Sequence, residues 1–219
     1  MPSRRPKKDT TIEIMPISYE NRKGEKHYVK AVKTKKGGTR YYIVKNNRNP
    51  VELIGEIPQG FEFYEFPFDA LVAFRKIVKS NVTDEEFSIL DSVMKRHATV
   101  KEYIIDKEEN ALVLYISGDY NEIRAFLKDE DFRKMQQYDE KLRFEKNKNG
   151  GFHAQRFCFI SKYYGWITME TCDDLKYLAE KYCPHADKES LLEFWIEGEE
   201  EPETVLVGEV SGIPVYGYK

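Results

Sequence analysis

The chain has 219 residues and a formal net charge of −3, with 41% hydrophobic and 33% charged residues. Its 13 Phe, 15 Tyr and 2 Trp supply enough apolar surface for a folded core, which excludes a disordered chain. No run approaches the roughly 18 uninterrupted apolar residues of a membrane span, and the basic start lacks the apolar stretch of a secretory signal. We therefore expect a soluble, cytoplasmic protein with no membrane partner.

Basic residues are concentrated at the start of the chain. Residues 1–48 hold 14 Lys or Arg and 4 Asp or Glu, a net charge of +10, whereas residues 49–219 hold 21 and 34, a net charge of −13. This asymmetry is typical of an arm for an anionic partner, or of two surfaces that neutralise each other. The composition predicts four segments: a flexible basic tail (1–10), a β-rich basic and aromatic module (11–78), an α+β body (79–196), and an acidic linker with a C-terminal β segment (197–219).

The first elements in the chain are predicted strands. Turn residues 35–38, which include two glycines, separate the aromatic and β-branched runs 28–32 and 41–44, and this pattern predicts a hairpin. Residues 51–57 and the alternating aromatic residues of 61–68 predict a second pair of strands.

A helix is predicted in the middle of the chain. Thr83 and Glu86 have capping-box spacing and are followed by apolar residues at helical intervals, which predicts a helix over 84–97. Residues 69–79, just before it, fit a strand or a short helix equally well. Two further hairpins are predicted from the paired runs 100–105 with 111–117, and 142–144 with 152–164.

The last part of the chain alternates caps and short apolar runs. Hairpins interspersed with capped helices indicate an α+β fold, with an antiparallel sheet of several hairpins and about four short helices packed on it. Further helices are predicted to begin near Asp119, Asp129, Thr171 with Asp174, and Asp187, and a last hairpin is predicted from 204–207 with 213–216.

The strongest candidate site is the basic, tyrosine-bearing N-terminal hairpin. Lys and Arg neutralise phosphates, and aromatic rings stack on unpaired bases, which contributes about 1–3 kcal/mol per base. Because strand residues alternate between faces, the lysines are expected on both faces, which weakens the case for one binding surface. Alternatively, edge lysines only discourage aggregation. The candidate residues are Arg22, Lys23, Lys26, Tyr28, Lys30, Lys33, Lys35, Lys36, Arg40, Tyr41, Tyr42, Lys45 and Arg48.

A weaker candidate is a metal site formed by Cys172, Cys183 and His185. Cys183 and His185 are two residues apart, but zinc sites usually contain ligand pairs of the form C-x₂₋₄-C or H-x₃₋₅-H, and this chain has no such pair. Buried structural cysteines and a surface histidine are the favoured interpretation, and no cofactor is predicted. The three cysteines are an odd number and are widely spaced, unlike those of a disulfide-bonded secreted protein, and this indicates free thiols.

The sequence favours a non-catalytic binding protein. It contains no phosphate-binding, hydrolase or kinase motif. The first hypothesis is binding of single-stranded or structured RNA or DNA through the basic hairpin. The alternative is a protein-interaction module whose basic arm pairs with an acidic surface of a partner or of a second copy. An enzyme whose site is assembled from distant residues is the weakest hypothesis.

Overall fold

The computed structural model describes residues 15–46, 52–97, 102–118, 126–158, 165–194, 204–210 and 213–218, the last two ranges for their backbone only. The chain divides into two compact units, residues 1–78 with 119–137 and residues 79–118 with 138–219. The α+β class is confirmed, and no described helix is long and apolar enough to cross a membrane. The predicted domain boundaries stay a prediction, since packing alone does not establish independent folding.

The first unit contains a three-stranded and a two-stranded antiparallel sheet. The predicted first hairpin is confirmed: its turn closes through a 2.8 Å hydrogen bond from Thr34 N to Gly38 O, and Gly37 has a φ of +82° that favours glycine. The strands are β1 (Ser18–Glu20), β2 (Lys26–Lys33), β3 (Thr39–Val44), β4 (Phe61–Glu65) and β5 (Val72–Lys76).

The predicted pairing of residues 51–57 with the aromatic strand is wrong. Strand β4 pairs with β5, so residues 69–79 contribute a strand and not a helix. In the described part of 51–57, Leu53 forms a single antiparallel bridge with Lys30, and Ile54 N donates to Val29 O. The start of this segment therefore lies beside β2, where Leu53 and Ile54 are half-buried, whereas Ile57 is exposed.

The second unit is built on a five-stranded antiparallel sheet in which strands that follow one another along the chain lie side by side. Alternate residues such as Leu112, Leu114 and Phe144 are fully buried on one face, and they form one core with two helices. The hairpins predicted around 106–110 and 147–151 are confirmed. The elements are α1 (Asp84–His97), β6 (Tyr103–Lys107), β7 (Ala111–Ser117), α2 (Asp129–Met135, in the first unit), β8 (Tyr138–Lys146), β9 (Phe152–Cys158), β10 (Gly165–Cys172), α3 (Leu175–Tyr182), and the hairpin β11 (Thr204–Val210) with β12 (Ile213–Tyr218).

The capping box of α1 is confirmed. Thr83 N donates to Glu86 Oε2 at 2.7 Å, and Glu86 N donates to Thr83 Oγ1 at 3.2 Å. The predicted cap at Thr171 is wrong, because Thr171 lies in β10 and Asp174 alone caps α3 by accepting from the amides of Lys176 and Tyr177.

The helix count and the single predicted sheet also need correction. The described residues form three α-helices and two 3-10 helices, Cys183–His185 and Glu189–Glu193, and the strands form four separate antiparallel sheets. Lys188, not Asp187, occupies the N-cap position of the second 3-10 helix, and no side chain caps it. The helix predicted near Asp119 begins outside the described residues.

Candidate nucleic-acid interface

Strand register brings part of the predicted basic site onto one face of the β1-β2-β3 sheet. Lys30 lies opposite Tyr42, and Val32 lies opposite Arg40. Two residues that are directly paired across antiparallel strands have their side chains on the same face of the sheet, and alternate residues along one strand also share a face. The residues of this surface, called the basic face below, are Lys26, Tyr28, Lys30, Arg40 and Tyr42.

The opposite face of the same sheet is occupied by the core of the first unit. Val29 is fully buried, and the ring of Tyr41 lies 5.0 Å from Phe61 and 5.4 Å from Phe74, edge to face in both contacts. The ring of Tyr19 stacks on Phe63 at 5.4 Å. Aromatic packing against β4 and β5 therefore fixes which face of the β1-β2-β3 sheet is turned outward.

The basic face has solvent-exposed cations and one exposed ring. Lys26 and Arg40 are exposed, and neither has an ion-pair partner among the described residues. Tyr42 is 47% exposed, whereas Tyr28 is half-buried. Long cationic side chains around an accessible aromatic ring are the groups that bind phosphate and stack on an unpaired base.

Two acidic residues lie at the edge of the basic face. Glu52 forms a 2.5 Å ion pair with Lys30, and Glu20 lies opposite Lys26 in the β1–β2 register. Neither residue was predicted from the sequence to lie at this site, because β1 is only three residues long and the bridge at Leu53 is a non-local contact. Because Glu52 neutralises Lys30, the cations of this surface without an ion-pair partner among the described residues are Lys26, Arg40 and the lysines of the turn between β2 and β3.

The turn between β2 and β3 adds cations at one end of the basic face. Lys35 and Lys36 are exposed, and neither is paired within the described part of the chain. Lys33 has the other strand parity and donates to Thr39 Oγ1 at 3.3 Å. The expectation that lysines lie on both faces of β2 thus applies to Lys33, while Lys26 and Lys30 share the outer face.

Several predicted site residues have other roles in the structure. The Arg22 guanidinium contacts Glu65 at 2.7 Å and donates to the carbonyls of Phe66 and Pro67. Lys45 pairs with Glu25 at 2.8 Å. The remaining ones are Tyr41, which packs in the core, Lys23, which is half-buried outside the strands, and Arg48, which lies outside the described residues.

The predicted metal ligands are not arranged around a common point. The His185 ring bonds through Nδ1 to Ser190 Oγ at 2.8 Å, and Cys172 Sγ accepts from the backbone N–H of Asp174 at 3.4 Å. Burial raises the pKa of the Cys183 thiol to about 12. Within the ranges that the structure describes, no three His, Cys, Asp or Glu side chains are placed to hold a metal ion.

Comparison with known proteins gives no relative for this chain. No protein-family model, curated protein or solved structure matches it. The function must therefore be inferred from the geometry and charge of its own surfaces.

Proposed function

We propose that this protein binds single-stranded nucleic acid through the basic face and the adjacent β2–β3 turn. The observation that carries the proposal is the register that places Lys30 opposite Tyr42 and Val32 opposite Arg40 on the outer face of the sheet. Cations on both sides of an exposed tyrosine suit a strand whose phosphates and bases alternate along its length. The core-facing position of Tyr41 limits the stacking surface to Tyr42 and the half-buried Tyr28.

A single strand suits this face better than a duplex does. Every base has a π-face that an exposed ring can stack on, but the bases of a duplex are already stacked on one another. The face belongs to a sheet, and flat aromatic sheet surfaces are a known way of binding unpaired bases. We expect no strong sequence preference, because the face presents cations and rings and few side-chain acceptors.

The first test measures binding of labelled single-stranded RNA, single-stranded DNA and duplex DNA by fluorescence anisotropy between about 50 and 200 mM salt. The test variant is Lys26→Glu with Lys36→Glu and Arg40→Glu. The matched control reverses three exposed lysines elsewhere in the chain, with the same change in net charge: Lys79→Glu, Lys128→Glu and Lys148→Glu.

We expect the wild type and the control to bind single strands with a steep salt dependence. The test variant should bind weakly, and the slope of log affinity against log salt should be smaller by about 2, since each phosphate contact contributes about 0.7 for a single strand. Absence of binding at about 50 mM salt, or equal losses in both variants, would contradict the proposal. Equal competition by polyglutamate would instead favour the acidic-protein alternative.

A further inference from the structure

One cation of the basic face is held by a carboxylate of the same chain. Lys30 lies opposite Tyr42 in the β2–β3 register, and its Nζ atom lies 2.5 Å from Glu52 Oε2. Lys26 and Arg40, the other two cations of this face, have no ion-pair partner among the described residues. The paired cation is therefore the one that lies directly beside the exposed ring.

Backbone contacts of the next two residues place Glu52 at this position. Leu53 forms an antiparallel bridge with Lys30, and Ile54 N donates to a carbonyl of β2 at 3.0 Å. Ile17 N, immediately before β1, donates to Ile54 O at 3.0 Å. These contacts involve the backbone alone, so the Glu52 side chain stays at the edge of the basic face when its ion pair is broken.

Both side chains of this ion pair are accessible to a ligand. The exposed fraction of the side chain is 36% for Lys30 and 47% for Glu52. Ion pairs between accessible side chains are weak, because water and salt screen both charges. An incoming anion can therefore replace the Glu52 carboxylate on Lys30 without disturbing the fold.

A carboxylate and a phosphate bind an ammonium group in the same way. Each is an anion whose oxygens accept charge-assisted hydrogen bonds from the three N–H donors of a lysine. The phosphate next to a base stacked on Tyr42 must therefore compete with Glu52 for Lys30. The phosphates at Lys26 and Arg40 face no such competition from a described ion-pair partner.

We propose that Glu52 is an internal competitor of the nucleic-acid phosphate and limits the affinity of the basic face for single strands. This inference rests on the proposed function and names the residue that regulates the same site. In the free protein Glu52 holds Lys30, and in the complex a phosphate takes its place. The free energy of breaking the ion pair is subtracted from that of binding, so the protein binds single strands more weakly than the cations of the face alone would.

The test is a double-mutant cycle in the full-length protein, with Glu52→Gln and Lys30→Gln made singly and together. The matched control is Glu20→Gln, also made with and without Lys30→Gln. Glu20 lies opposite Lys26 beside the same face and has no ion pair among the described residues. Fluorescence anisotropy at about 50 mM salt measures binding of a labelled oligothymidylate of about 12 nucleotides, a length within the range of single-strand sites.

We expect Glu52→Gln to lower the dissociation constant about threefold when Lys30 is present, because the free energy of an exposed ion pair corresponds to at most about fivefold in an equilibrium constant. In the Lys30→Gln background, the same change should alter the dissociation constant by less than about 1.5-fold. The Glu20→Gln control should have the same effect in both backgrounds, because it removes a nearby charge without releasing Lys30.

Two results would overturn the inference while leaving the proposed function intact. An equal effect of Glu52→Gln in both backgrounds would mean that only the general charge of the surface matters. An unchanged affinity of Glu52→Gln with Lys30 present would mean that the ion pair does not compete with phosphate. Failure of the proposed function differs from both, because then neither the wild type nor Glu52→Gln binds the oligonucleotide at about 50 mM salt.

Discussion

Tyr41 and Tyr42 are neighbours in β3, and their side chains lie on opposite faces of the sheet. The ring of Tyr41 contacts Phe61 and Phe74 in the core of the first unit, whereas Tyr42 is nearly half exposed beside Lys30. Both belonged to the predicted site. Strand alternation alone separates them, but only the packing of β4 and β5 shows which ring faces the solvent.

Substitution of each tyrosine by alanine should therefore have a different effect. Tyr42→Ala should weaken single-strand binding by about 1–3 kcal/mol and change the free energy of unfolding by less than about 0.5 kcal/mol. Tyr41→Ala should lower the free energy of unfolding by about 3–5 kcal/mol, because it removes a packed aromatic ring. Anisotropy and urea denaturation measure the two quantities. A loss of stability in Tyr42→Ala would mean that the ring has a structural role.

The cysteines should differ in reactivity in the folded protein. Cys183 is fully buried and burial raises the pKa of its thiol to about 12, whereas Cys172 is half-buried. The thiolate is the reactive form, so Cys183 in the folded protein should react with a thiol reagent at neutral pH far more slowly than Cys172 does. After unfolding, Cys183 should react at the ordinary rate of a free cysteine. Mass spectrometry of the labelled protein identifies the modified site. Rapid labelling of Cys183 in the native protein would contradict this prediction.

At the level of single elements, the caps of the helices are local and testable. The Asp174 carboxylate accepts from the amides of Lys176 at 2.9 Å and Tyr177 at 3.1 Å, and so caps α3. Asp174→Ala should lower the free energy of unfolding by about 1 kcal/mol. The neighbouring Asp173→Ala removes the same charge without a cap and should cost less than about 0.5 kcal/mol. Urea denaturation of both variants measures the difference, and equal effects would show that charge alone matters.

Elements with local signals are those that the sequence predicts well. Helix α1 spans Asp84–His97, as the capping box and the helical spacing indicate. Each of these two signals depends only on residues three or four positions apart in the chain. The partner of β4 was predicted wrongly, since residues 51–57 and β5 both contain the apolar residues of a strand and only non-local packing distinguishes them. Strand β10 was missed because Thr171 near its end has the spacing of a cap.

For the whole molecule, ion pairs predict how stability depends on pH. A hydrogen bond from Lys95 lowers the pKa of Asp91, despite partial burial. Burial of Glu170 opposes ionisation, but hydrogen bonds from Lys181 and Tyr182 outweigh it and lower its pKa. A carboxylate whose pKa is lower in the folded state stabilises the protein above its unfolded pKa, and this stabilisation is lost as pH falls through the folded pKa.

The free energy of unfolding should therefore fall as the pH drops from about 5 to 3, the range below the ordinary carboxylate pKa values. Glu108 and Glu140 act in the opposite direction, because their raised pKa values favour protonation of the folded state. A double variant, Asp91→Asn with Glu170→Gln, should lose less stability over this range. Urea denaturation at several pH values tests this, and a variant with the wild-type pH dependence would contradict the assignment.

The sequence by itself determined the α+β class, the first helix and most hairpins, because capping boxes, turn glycines and residue alternation act over a few neighbouring residues. It also located the basic segment that the proposed function uses. Only the tertiary structure decided which residues of that segment share the outer face, which are held in ion pairs such as Arg22 with Glu65, and which pack in the core. The same holds for Gln155, whose amide nitrogen donates to Glu145 and Thr168 on the two neighbouring strands. Such choices depend on contacts between distant parts of the chain, and short-range sequence patterns do not encode them.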